Sequence, residues 1–141
     1  MGKKTDELMQ ILKEKPDSAS YLKEYKQELL CQTVPELLNF YLEQKGLSKA
    51  AAIRSSGLDR TYAYQIFDGR QHNPGRDKLL CLAFGLHLTV PETQQLLKAA
   101  QLPPLYPRVV RDVLILESLF QEKSLVNCNE NLLANSQQPL Q

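Results

Sequence analysis

The tetrapeptide Thr-Val-Pro-Glu occurs twice, at residues 33–36 and 89–92. In each copy the threonine can accept a hydrogen bond from a first-turn amide. The proline sits where its missing N–H costs nothing, and the glutamate three residues after the threonine can reach back to its amide. Each copy is therefore a helix start, and what repeats is a cap, since the flanking sequence does not repeat. The first helix is expected over 34–45, burying Leu37, Leu38, Tyr41 and Leu42 and stopping at Gly46. The second is expected over 90–101, burying Leu96, Leu97 and Ala100. Between them the apolar spacing predicts helices over 48–56, 59–67 and 75–86, with Gly57 separating the first two and a polar loop at 69–74 before the third. Strand-type alternation is absent, so the fold class is all-α, with a compact five-helix unit at its centre.

Shorter segments flank this unit. Residues 5–14 carry Leu8, Met9, Ile11 and Leu12 on one face, after which Pro16, Asp17 and Ser18 break the chain and cap a second segment running to about Cys31. Beyond the unit, Pro103, Pro104 and Pro107 force an extended connector. Residues 108–121 then set Val109, Val113, Leu116 and Phe120 along one stripe with Val110 and Leu114 beside it; that stripe must pack on something, either the chain's own core or another copy. Residues 127–141 are rich in Asn and Gln, with Leu132 and Leu133 as anchors, and predict a short frayed helix and then disorder. The organisation expected is an N-terminal helical extension (1–32), a central domain (33–102), a C-terminal helical extension (103–134) and a disordered tail (135–141).

Charge is uneven. The net formal charge is +1, yet residues 45–80 hold seven basic side chains against three acidic ones, whereas residues 1–33 hold six of each. Positive charge is concentrated in the middle of the chain, where a polyanion would be met. No apolar run approaches the roughly 20 residues needed to span a bilayer, and Lys3, Lys4, Asp6 and Glu7 precede no signal-like apolar stretch, so a cytoplasmic protein with no membrane partner is expected. Cys31, Cys81 and Cys128 form no CxxC pair and have no neighbouring histidine; they read as reduced thiols, Cys81 in the core. His72 and His87 are isolated, as a polar loop residue and a helix-end residue. No metal or other cofactor is expected. Without paired carboxylates, a nucleophile with its base or a phosphate-cradling glycine loop at workable spacing, no enzyme is expected either.

The segment Leu47-Ser-Lys-Ala-Ala-Ala-Ile-Arg-Ser-Ser-Gly57-Leu-Asp-Arg-Thr-Tyr-Ala-Tyr-Gln-Ile66, followed by Asp68-Gly69-Arg70 and Asn73-Pro74, carries the functional signal. A short turn joining two helices at about a right angle needs a residue tolerant of positive φ, here Gly57, and small or apolar residues where the helices meet, here Ala52, Leu58, Ala63 and Ile66. Asp59 suits the N-cap of the second helix. Over about residues 37–100 this pattern resembles the Cro/C1 (Xre-type) helix-turn-helix family of transcriptional regulators. It departs from that family at Ile53, where alanine is preferred, in a 69–74 loop one residue longer than the commonest form, and in the negative charge of Asp68.

The resemblance implies a lambda-repressor-like domain that places helix 59–67 in the major groove of double-stranded DNA. Arg60, Thr61, Tyr64 and Gln65 would then read base edges: Arg60 suits guanine, Gln65 adenine, and Thr61 a thymine methyl. Ser48 and Lys49 at the start of the preceding helix, with Arg70 and Arg76 around the loop, would hold phosphates, helped by Lys45 and Lys78. It further implies a transcriptional regulator, in the sense of a repressor, that binds a palindromic operator as a homodimer, because one small reader covers too few bases to be selective. The alternative is an adaptor or antitoxin-like module that uses the same scaffold to hold a protein partner, a reading favoured by the low net charge and the acidic, apolar N-terminal helices.

Overall fold

A computed structural model describes residues 3–25 and 33–141; Cys31 and the end of the second expected helix lie outside the described residues. The chain divides into two compact units, Met1–Cys31 and Gln32–Gln141. The described residues hold nine helices and no strand, so the all-α expectation is met.

The first unit contains α1 (Thr5–Glu14) and α2 (Ser18–Glu24). The Asp17 carboxylate caps α2 by accepting from the Ser20 amide, at 3.3 Å. Neither helix has a buried residue; Met9, Leu12 and Leu22 remain exposed.

The second unit begins with α3 (Val34–Lys45), α4 (Lys49–Ser56), α5 (Arg60–Asp68), α6 (Arg76–Gly85) and α7 (Val90–Ala99), close to the positions expected. Both Thr-Val-Pro-Glu segments start helices. At Thr89 the full reciprocal box forms, with the Thr89 hydroxyl accepting from the Glu92 amide and Glu92 accepting from the Thr89 amide at 2.9 Å. At Thr33 the hydroxyl accepts from the Glu36 amide at 3.2 Å, and Glu36 does not return the bond. Glu92 also does double duty: Lys45, at the end of α3, lies 2.9 Å from its carboxylate and ties the end of α3 to the start of α7.

Helix α6 is the centre of this unit. Seven consecutive residues, Leu79 to Gly85, are buried, because α6 packs against α4, α7 and the later helix α9 (Leu125–Ala134). A helix apolar all round requires neighbours on every side. Gly85 permits the closest approach, since a Cβ there would collide with the Ala52 carbonyl of α4. Leu37, Leu38, Tyr41, Ile66, Phe67, Leu96 and Leu97 complete the core from α3, α5 and α7. Each such side chain contributes roughly 1.5–3 kcal/mol on burial.

The C-terminal half settles one point that the sequence reading left open and differs from that reading in another. The stripe of α8 (Val110–Phe120) faces outward: Val109, Val110, Val113 and Phe120 are exposed, and α8 buries Asp112, Ile115, Ser118 and Leu119 instead. Apolar residues lie on more than one face of α8, and the face that turns inward is the one that carries Asp112, satisfied by Arg76. Nor are residues 135–141 disordered. Helix α9 is capped by Ser124 and buries Leu125, Cys128 and Leu132, while Leu133 is exposed. The chain then turns back so that Leu140 is 2% exposed, its amide donating to Asn129 Oδ1 at 2.7 Å and its carbonyl accepting from Asn129 Nδ2 at 3.1 Å. Polar composition suggested disorder; one leucine and one asparagine amide oppose it. Gln94 grips Leu105 in the same two-bond manner, both bonds 2.8 Å, which anchors the proline-rich connector.

Candidate nucleic-acid interface

Helices α4 and α5 are joined by a turn whose conformation its own residues dictate. Gly57 lies at φ 69°, a left-handed conformation that costs an L-residue roughly 1–2 kcal/mol and a glycine almost nothing. Buried Ser56 donates its hydroxyl to the Ile53 carbonyl and accepts from the Leu58 amide at 3.3 Å, holding both sides of the turn. Asp59 then caps α5, its carboxylate accepting from the Tyr62 amide at 3.0 Å. Ile53, four residues before Gly57, is buried beside Ala52.

Helix α5 is divided by its 3.6-residue period into two faces. Ala63, Ile66 and Phe67 are buried, whereas Arg60 and Thr61 are exposed and Tyr64 and Gln65 are half-buried. All four expected reader residues therefore share the face turned from the core. The Arg60 guanidinium lies 5.7 Å from the Tyr64 ring centroid, a cation–π distance that orders both side chains. Arg60 and Tyr64 border a groove of about 510 Å³ with Ala50, Ile53, Arg54, Gly57 and Leu58. Arg54 was not singled out from the sequence; its place beside Arg60 depends on the angle between two helices, which no spacing in the chain reveals.

The residues expected at phosphates separate into two groups. Ser48 caps α4, its hydroxyl accepting from the Ala51 amide at 3.1 Å, and Lys49 follows it with its ammonium 5.4 Å from the Phe67 ring centroid. Both stand at the start of α4, next to the end of α5. Arg70 is exposed but paired with Asp68, at 2.7 Å and 2.9 Å from Nη2 and Nε. The Arg70 side-chain hydrogen bond holds the Asp68 carboxyl below the usual carboxylate range. An exposed pair of this kind is worth little and is easily exchanged for another partner.

Arg76 is engaged within the fold. Its guanidinium donates to both oxygens of Asp112, at 3.0 and 2.8 Å, and to the carbonyls of Pro103 and Pro104 at 3.1 and 3.0 Å. Its donors go to a carboxylate 4% exposed and to two backbone carbonyls, so in this structure Arg76 joins the start of α6 to α8 and the proline connector. The two helpers are also engaged: Lys45 pairs with Glu92, and the Lys78 ammonium lies 5.5 Å from the Tyr62 ring centroid. Among the described residues of the basic middle segment, Lys49, Arg54, Arg60 and Lys78 have no carboxylate within ion-pair distance.

No group of three His, Cys, Asp or Glu side chains comes together to hold a metal among the described residues, and no helix among them is long and apolar enough to cross a membrane. No family model, curated protein or solved structure matches this chain.

Proposed function

We propose that this protein is a sequence-specific DNA-binding regulator that reads the major groove with α5 and represses transcription from the sites it occupies. The observation that carries the reading is the outward face of α5. Arg60, Thr61, Tyr64 and Gln65 share it, on a helix fixed at one edge by the buried Ala63, Ile66 and Phe67 and at its start by the Gly57 turn. A rigid helix presenting a guanidinium, a hydroxyl, a phenol and a carboxamide is what base-edge recognition requires. Lys49, at the capped start of α4, together with Arg54, holds the flanking phosphates, and Arg70 joins them by leaving Asp68. The operator is a palindrome read by two copies in the cytoplasm.

The test is selection of bound duplexes from a random-sequence pool, with wild type and the Arg60→Ala/Gln65→Ala variant run in parallel. Enrichment of one motif by wild type and its loss in the variant supports the reading. A pool that stays unenriched with both proteins rejects it. A second reading, an adaptor that holds a protein partner, is favoured by one observation: α1 and α2 bury nothing and leave Met9, Leu12 and Leu22 exposed. Loss of a co-purifying protein on Leu12→Glu, with DNA selection negative, would support that alternative.

A further inference from the structure

From the outward face of α8 we infer that it is the self-association surface of this protein, pairing antiparallel with the same helix of a second copy about Val113. The inference rests on the DNA-binding reading only for its purpose, since two copies are what a palindrome needs; its geometry is independent.

Val109, Val110, Val113 and Phe120 are 47, 63, 43 and 71% exposed, and Tyr106, just before the helix, is 50% exposed. At 100° per residue, Val109, Val113, Leu116 and Phe120 form one continuous stripe about three turns long, with Val110 and Glu117 on one flank. Apolar side chains left open along one helix face in this way mark an interaction surface, unlike single exposed ones scattered over a monomer.

Self-complementarity identifies the occupant. In an antiparallel pair centred on Val113, Tyr106 of one copy meets Phe120 of the other, Val109 meets Glu117, and Val110 meets Leu116. Arg108 then falls within reach of the partner's carboxylate at Glu117. Arg108 has no ion pair among the described residues, and Glu117 Oε1 accepts from Asn131 at 3.2 Å, leaving Oε2 for a second donor. The two-fold axis makes this contact twice, which an unrelated apolar partner would not do. Phe120 is also one wall of a groove of about 490 Å³ formed with Phe84, His87, Val90 and Leu119, open to receive the partner's Tyr106.

The experiment is the sedimentation mass of the full chain, without DNA, up to about 50 μM, a concentration at which a pair with a Kd of about 1 μM is populated. Wild type is expected as a dimer, and Val113→Glu as a monomer with unchanged helical circular dichroism, because Val113 lies at the surface. Arg108→Glu is expected to weaken the dimer at least about tenfold, through like charges at Glu117, and Arg108→Glu/Glu117→Arg to restore it. A wild type that stays monomeric, a Val113→Glu chain that stays dimeric, a double reversal that does not recover, or dissociation by Leu12→Glu in place of Val113→Glu each overturns the proposal. The mass is read without nucleic acid, so a dimer that selects no DNA motif leaves this inference standing and removes the functional reading alone.

Discussion

Arg76, the first residue of α6, and Asp112, in the first turn of α8, form a bidentate pair at 3.0 and 2.8 Å, and their chain neighbours Asp77 and Arg111 form a second at 2.9 and 2.8 Å. Adjacent residues on each helix thus carry opposite charges, crossed against their partners. The first pair also gathers the Pro103 and Pro104 carbonyls and the Tyr106 amide; the second gathers the carbonyls of Gln138 and Pro139. The proline connector and the C-terminal residues are both fastened through this junction.

Removing one member of the buried pair leaves the other unpaired. Arg76→Leu is expected to destabilise the fold by about 3 kcal/mol, and Arg76→Leu/Asp112→Leu by less than that, read from the urea midpoint.

The same pair sets an acid limit. Burial acts to raise the Asp112 pKa, but the Arg76 hydrogen bonds, the Tyr106 amide and the charges of Arg76 and Arg111 outweigh it, so the carboxyl lies below its ordinary 3.8. A depressed carboxylate contributes stability that is complete above the unfolded value and is lost as pH falls through the folded one. Stability should therefore decline below about pH 4 more steeply in wild type than in the double leucine variant, as followed by unfolding at stepped pH.

Leu140→Ala is expected to cost about 2 kcal/mol, because the side chain is buried and its backbone is held by Asn129. A terminus without structure would show no change in denaturant midpoint.

Much of this architecture was legible in the chain. Thr33, Thr89, Gly46 and Gly57 mark helix ends by local chemistry, and the faces of α5 follow from the spacing of Ala63, Ile66 and Phe67. What was not legible depends on partners far away in sequence. Arg76 looks like any loop-end arginine until Asp112, thirty-six residues on, is brought beside it. The orientation of α8 is hidden in the same way, since Val113 and Ile115 are both apolar and only Ile115 shares the inward face with the paired Asp112. Arg54 joined the candidate site only through the packing of α4 against α5.

Burial pushes the Cys81 thiol up to about 11 and the Cys128 thiol above its ordinary value. Both are buried and reduced, so at pH 8 neither should react with iodoacetamide faster than the fold opens. Peptide mass mapping against time, with and without urea, measures this directly.

Affinity for the selected duplex as a function of salt decides the reading that α5 contacts bases while the start of α4 holds phosphates. A steep log–log decline is expected. Lys49→Ala should weaken binding to all sequences and reduce the slope by about one, while Gln65→Ala should leave the slope unchanged and cost about 1–3 kcal/mol on the selected sequence alone. Affinity that does not change with salt, or a Gln65→Ala variant that discriminates sequences as wild type does, would contradict it.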